Sequence, residues 1–254
     1  MSAIEVQIRH SPSSLKLHDT CPHRYYRERI LKDVTPGTSA PAEWGKLVHS
    51  QLEKAIKGEA DWPEQWAHVS QAFRVWRLKY TAFQAERRLA LDRALKPTDF
   101  DGEDFWIRGI VDLILWDSRS GTMMLVDWKT GSVRPADAKL QMQFYALCAF
   151  RHSDKVRHVV TALEWIKHRE STRKTYTRDA ENDLAEIIRE KCEHVEHQVA
   201  LMPDDRNTAE IDRLFPRKAS GLCRGWCGIY DCPLNSGREK TQTVRPIRFR
   251  KKSP

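Results

Sequence analysis

Long apolar runs are missing from this chain of 254 residues: nothing in it approaches the ~18 consecutive apolar residues that a membrane-spanning helix needs. The first ten residues, Met1 to His10, also lack the apolar core of roughly 7–15 residues that marks a secretory signal. Together these absences predict a cytoplasmic protein with no membrane partner. Internal repeats, low-complexity tracts and long Gly/Ser linkers are absent too, which excludes solenoids and arrays. There is no Gly-x-x-x-x-Gly-Lys-Ser/Thr loop to cradle nucleotide phosphates. The chain therefore lacks the phosphate loop of a nucleotide-driven motor.

Cysteine is scarce, and six in a reducing compartment do not make a disulfide framework. Cys148 and Cys192 fall in helix-compatible stretches and read as small buried hydrophobes. The other four form a pattern: Cys223, Cys227 and Cys232 are spaced C-x3-C-x4-C, and Cys21 lies 202 positions before the first of them. Four thiolates are a full ligand set for a [4Fe–4S] cluster or for tetrahedral zinc.

What is abundant is positive charge: 43 Lys and Arg against 35 Asp and Glu give a formal +8, which favours a polyanionic partner. At 40% hydrophobic the chain can bury one substantial core, so a single domain is predicted over residues 1–239. A basic, flexible tail follows over 240–254, carrying Lys240, Arg245, Arg248, Arg250, Lys251 and Lys252 with no acidic residue.

Periodicity predicts helices over 42–57, 63–80, 137–151 and 180–202, and strands over 83–91, 105–116, 122–128, 156–166 and 172–177. An earlier helix, capped by Ser13 or Ser14, starts near Leu15 and would carry Cys21, Tyr25 and Tyr26, with Pro22 complicating its course. That order gives an α/β fold: a mixed central sheet flanked by helices. Trp62, Trp66 and Trp76, at helical spacing, read as core more readily than as stacking platforms for bases.

Chemistry concentrates in Gly109-Ile110-Val111-Asp112 and, fifteen positions after Asp112, Asp127-Trp128-Lys129-Thr130-Gly131. If these two strands pair as an antiparallel hairpin, Asp112 and Asp127 converge. Alternation puts Asp127 and Lys129 on one side and sends Trp128 into packing. Carboxylates that hold Mg²⁺ or Mn²⁺, beside an ammonium group, suit phosphodiester hydrolysis. Taken alone, Asp127 and Lys129 describe an ordinary surface ion pair, His49 an ordinary helix histidine, and Gln141 and Tyr145 a helical i,i+4 pair.

In order along the chain, Gly45-x-x-x-His49, Gly109-x-x-Asp112, Asp127-x-Lys129-Thr130-Gly131 and Gln141-x-x-x-Tyr145 resemble the RecB-like branch of the PD-(D/E)XK nucleases. That branch includes AddB nuclease domains, CRISPR-associated exonucleases and phage relatives, and the resemblance runs from Ser11 to Pro233. It implies a restriction-endonuclease-like core in which His49, Asp112, Asp127 and the backbone carbonyl of Trp128 ligate Mg²⁺ or Mn²⁺. By the same resemblance Lys129 is catalytic, Gln141 and Tyr145 stand beside the scissile strand, and Glu86 is either a further acidic contact or solvent-facing.

The segment from Ser11 through Cys21-Pro22-x-x-Tyr25-Tyr26 is similar to the one that supplies the first cluster cysteine in those relatives. A [4Fe–4S] cluster held by Cys21, Cys223, Cys227 and Cys232, joining the two ends of the chain, is thereby implied. The commoner C-terminal spacing is C-x2-C-x5-C, so structural Zn²⁺ stays open as the alternative. The expected function is a metal-dependent deoxyribonuclease, an exonuclease on DNA ends or single strands in recombination, repair or phage DNA metabolism, with any unwinding left to a helicase or recombination partner. The alternative is a catalytically silent DNA-binding or assembly subunit that keeps the fold and cluster.

Overall fold

Strand-forming sequence comes in five pieces, and all five join one sheet. The computed structural model describes residues 8–35, 39–203, 208–224 and 226–236; the basic tail expected over 240–254 lies outside them. The described helices are α1 (Pro12–Thr20), α2 (Pro22–Tyr25), α3 (Ala40–Lys57), α4 (Ala67–Lys79), α5 (Lys139–His152), α6 (Glu181–Ala200) and α7 (Thr208–Leu214). The strands are β1 (Ala82–Leu91), β2 (Ile107–Asp117), β3 (Thr122–Lys129), β4 (His158–Trp165) and β5 (Glu170–Thr177), side by side in that order.

β1, β2 and β3 form an antiparallel meander, β3 and β4 run parallel, and β5 returns antiparallel to β4. Between β2 and β3 the turn is held by Asp117, which accepts hydrogen bonds from Ser120 Oγ at 2.6 Å and the Arg119 amide at 3.2 Å. The parallel pair requires a long crossover, and α5 supplies it. Residues 142–150 of α5 are all buried, so this helix shows little amphipathic contrast.

The chain divides into two compact units, one of Met1–Ser13 and Ala40–His194, the other of Ser14–Ser39 and Val195–Pro254. In the first, Val48, Leu52 and Ile56 of α3 and Val69, Phe73 and Trp76 of α4 pack with Leu113, Leu115, Val126 and Trp128 of the sheet. Each side chain of that size contributes roughly 1.5–3 kcal/mol by leaving water. In the second unit, Tyr26 stacks on Phe215 at 5.2 Å, and the His18 ring lies 2.6 Å from Gln198 Oε1. Arg27 joins Asp33 at 2.8 Å to Asp231 at 3.0 Å.

The helix expected through Cys21 is instead split there. Cys21 is extended, with φ −158° and ψ 99°, because the following proline has no amide hydrogen and disfavours helical backbone in the residue before it. Tyr25 ends α2, and Tyr26 opens a π-helical turn, Tyr26–Leu31. α7 was not foreseen; seven residues are too few for a periodic signal.

Gly109 faces α5 so closely that a Cβ there would stand 2.9 Å from Phe144 Cε1 and 3.2 Å from Tyr145 Cε1. Gly109→Ala is expected to cost about 1–3 kcal/mol by overpacking, read from urea unfolding. An unchanged midpoint would show that α5 yields freely at this contact.

Candidate active site

Strand pairing brings two carboxylates together. β2 and β3 are in register at Leu113 and Val126, so Asp112 and Asp127 come next on neighbouring strands. Both are buried, at 7% and 3% exposure. The Trp128 amide donates a hydrogen bond to Asp112 Oδ2 at 2.7 Å, tying the second strand's backbone to the first strand's carboxylate. The Trp128 ring goes the other way, into the core, where it stacks on Trp76 with 6.2 Å between centroids and 16° between planes.

On the side opposite Trp128, Asp127 Oδ2 lies 2.6 Å from Lys129 Nζ. Gln141, at the start of α5, completes the group. It accepts from Lys129 Nζ at 2.9 Å, and its amide donates to Asp127 Oδ1 at 2.7 Å and to Tyr145 Oη at 2.9 Å. Tyr145 in turn donates to the carbonyl of Ile110 in β2. The i,i+4 pair on α5 thus links both strands of the hairpin.

A third element reaches Asp112 from α3: His49 Nδ1 stands 3.1 Å from Asp112 Oδ1. Glu86 joins them from β1, and single donor atoms of His49, Glu86 and Asp112 all lie within 4.8 Å of one another. Glu86 achieves this with φ at 48°, a left-handed conformation that costs an L-residue roughly 1–2 kcal/mol. The β1–β2 register runs Ala85 to Leu113 and Arg87 to Val111, so the strained residue sits opposite Asp112. Sequence reasoning left the direction of Glu86 open, since a local backbone inversion leaves no mark in the pattern of residue types. The first glycine motif has a steric reason as well: a Cβ on Gly45 would stand 3.1 Å from Thr130 Oγ1, just after Lys129.

The group's electrostatics suit a cation. Burial, then repulsion from Asp112 and Glu53, pushes the Glu86 carboxyl up to about 7. Burial also raises Asp127, with Lys129 opposing and Asp112 reinforcing the shift. At His49 burial works against the charged ring, but the Asp112 hydrogen bond and the charges of Asp112, Asp127 and Glu86 outweigh it and raise its pKa. Among the described residues, buried Asp127 Oδ2 receives no well-aligned hydrogen bond. Its closeness to Lys129 Nζ is a charge contact, and a lone pair remains for a hard cation. One imidazole and several carboxylate oxygens fit Mg²⁺ or Mn²⁺.

The sequence profile of the PD-(D/E)XK nuclease superfamily matches residues 9–230. The chain belongs to that superfamily. Its Asp127-Trp128-Lys129 spells the (D/E)XK half of the name, while Val111 precedes Asp112 where the name has proline. Two solved structures are similar to this PD-(D/E)XK chain. SSO0001 is 14% identical, covering 92% of this chain and 90% of its own, with a TM-score of 0.43. A candidate exonuclease from Eubacterium rectale is 11% identical, covering 78% and 87%, with a TM-score of 0.44. No curated protein matches in sequence.

Seven residues singled out from the PD-(D/E)XK chain's sequence, His49, Asp112, Asp127, Trp128, Lys129, Gln141 and Tyr145, meet through the contacts above. Cys21, Cys223, Cys227 and Cys232 belong to the other unit. None of the four is in a disulfide. Burial raises the Cys227 thiol, and Cys223 and Cys21 are close enough to reinforce that shift. The Ser220 amide donates to Cys223 Sγ at 3.4 Å. Among the described residues His49, Glu86 and Asp112 form the group of three donors within 4.8 Å, so the four thiols share a unit without closing into such a group.

Glu86 generates a test. Its carboxyl keeps a proton up to about 7 against an ordinary 4.5, so the folded protein binds more protons than the unfolded chain between those values. Stability therefore falls as pH rises through that window. Glu86→Gln removes the penalty: without metal it is expected to melt above wild type at about pH 8, and on addition of Mn²⁺ to gain less in Tm than wild type gains. Wild-type melting with Mn²⁺ stabilisation intact would show that Glu86 neither carries the penalty nor holds a cation.

Proposed function

We propose that this chain is a Mg²⁺- or Mn²⁺-dependent deoxyribonuclease, an exonuclease acting on DNA ends or single strands. The observation that carries the reading is the convergence of His49, Glu86 and Asp112 on one point beside the Asp127, Lys129 and Gln141 network. His49, Asp112, Asp127 and Glu86 would hold the cation, with the Trp128 carbonyl as a further donor. When bound, the ion supplies Lewis-acid polarisation of the phosphodiester and a lower pKa for attacking water.

Each remaining role follows from a contact. Lys129, held between Asp127 and Gln141, offers its ammonium protons to the oxygen that gains charge at the scissile phosphorus or to the water that attacks it. Gln141 fixes the separation of that ammonium from Asp127, because one amide group binds both. Tyr145 anchors Gln141 to β2 and so keeps α5 seated against the hairpin. The preference for ends rests on the histidine-bearing motif set of the RecB-like branch.

Release of nucleotides from end-labelled single- and double-stranded DNA tests the reading. Wild type with Mg²⁺ or Mn²⁺ is expected to release label, and Asp127→Ala and Lys129→Ala each to lose about 10²–10³-fold or more of the rate. Silence on every substrate with the fold intact would point to a DNA-binding or assembly subunit. Nicking of closed circular DNA as fast as linear DNA is degraded would overturn the exonuclease assignment.

Cys21, Cys223, Cys227 and Cys232 would bind a [4Fe–4S] cluster in a structural role, holding Ser14–Ser39 to the C-terminal segment of the same unit. Anaerobically purified protein is expected to be brown, and Cys21→Ala to lose both the colour and thermal stability. Colourless wild type with one equivalent of zinc would replace iron with Zn²⁺.

A further inference from the structure

This inference rests on the nuclease reading and concerns how the substrate strand is held. Along the β1–β2 hairpin, Arg88 lies two residues beyond Glu86, and its register partner Ile110 lies two residues from Asp112. Arg108, opposite Ala90, lies two residues further still. At a rise of about 3.3 Å per residue these positions are roughly 7 and 13 Å along the strands from the carboxylates, within reach of phosphates neighbouring the scissile one.

The two guanidiniums are pre-arranged. Both lie over the ring of Phe100, with Cζ at 4.9 Å for Arg88 and 4.7 Å for Arg108, and Arg108 also lies 4.2 Å over Phe105. Arg108 Nη1 is anchored further by the Phe100 carbonyl at 2.8 Å. A guanidinium stacked on an aromatic face keeps its N–H edge free for an oxyanion in its plane. Here one carboxylate takes that place: Asp101 Oδ2 contacts Arg88 Nη1, and Asp101 Oδ1 lies 3.7 Å from Arg108 Nη1. Side-chain exposures of 56%, 38% and 63% for Arg88, Arg108 and Asp101 leave the trio open to solvent. Ion pairs so exposed contribute little to stability.

Asp101 is also one of four acidic residues in six positions, Asp99, Asp101, Glu103 and Asp104, on the segment joining β1 to β2. Arg9 reaches the same segment, donating to the Glu103 carbonyl at 3.0 Å and lying 4.8 Å over Phe105. Acidic groups and rings alternating along a chain resemble a strand of phosphates and bases in charge and shape.

We propose that Arg88 and Arg108 form a phosphate clamp for the DNA strand leading to the scissile position, and that Asp101 fills the clamp until the strand displaces it. The ligand is a DNA phosphodiester, recognised by paired guanidiniums. Asp101 and its arginines then act with opposite signs on DNA binding, whereas a pair that merely pins the segment would act with the same sign.

Fluorescence anisotropy of a fluorescein-labelled single-stranded oligonucleotide, in EDTA and in an Asp127→Ala background that cannot degrade it, separates the two. Arg88→Ala and Arg108→Ala are each expected to weaken binding about tenfold and to lower the salt slope by about one. Asp101→Ala is expected to tighten binding. Melting curves must match the parent; if an alanine variant fails to fold, Arg88→Gln or Arg108→Gln replaces it. Asp101→Ala weakening binding together with the arginine variants, or no effect of any of them, overturns the clamp, as does failure of the background protein to bind the oligonucleotide. The nuclease reading stands or falls separately, on release of nucleotides by wild type.

Discussion

Two carboxylates that repel each other, Asp112 and Asp127, are held almost out of water on adjacent strands, and much of the first unit is arranged around that cost. A buried charge is tolerated only when its lone pairs find partners. The Trp128 amide and the His49 ring serve Asp112, while Lys129 and Gln141 serve Asp127. Supplying those partners fixes where α3 and α5 can lie, so helix placement and the chemistry of the site are one problem with one solution. Glu86 adds a third acid instead of relieving the first two, at the expense of a left-handed backbone. A compact acidic group that its own neighbours only partly neutralise is a poor stability device and a good cation receptor.

Much of this was legible in the sequence because the relevant rules are local. Alternation alone placed Asp127 with Lys129 and turned Trp128 into the core, and the expected antiparallel pairing of the two motif strands brings Asp112 alongside. The buried crossover α5 was placed to within a few residues although its apolar faces run all the way round. What stayed hidden depends on distance or on backbone conformation. The reason for Gly45 is Thr130, 85 positions on, and the reason for Gly109 is a pair of rings on α5. The pairing of Arg88 and Arg108 over Phe100 needs the β1–β2 register, and the side on which Glu86 falls needs its φ.

The two units solve different problems with different means. In the first, a sheet and apolar helix faces give a rigid platform on which donor atoms can be set a few ångströms apart. The second is made of short helices and turns with little sheet-like cross-bracing, and polar ties such as Arg27 to Asp33 and Asp231 do much of the joining.

The composition of the second unit also sets an order of events at the ribosome. Ser14–Ser39 is synthesised before Ala40–His194, and the residues it folds with, from Val195 onward, only after it. Domains form from the N-terminal side as synthesis proceeds, so the five-stranded unit can close while the earlier segment waits. During that wait Tyr26 has no Phe215 to stack on and Arg27 no Asp231 to meet. Of Asp33 and Asp231, Arg27 keeps Asp33 alone until residues from Val195 onward are made, so the stacking and half of the ionic tie wait on the later segment.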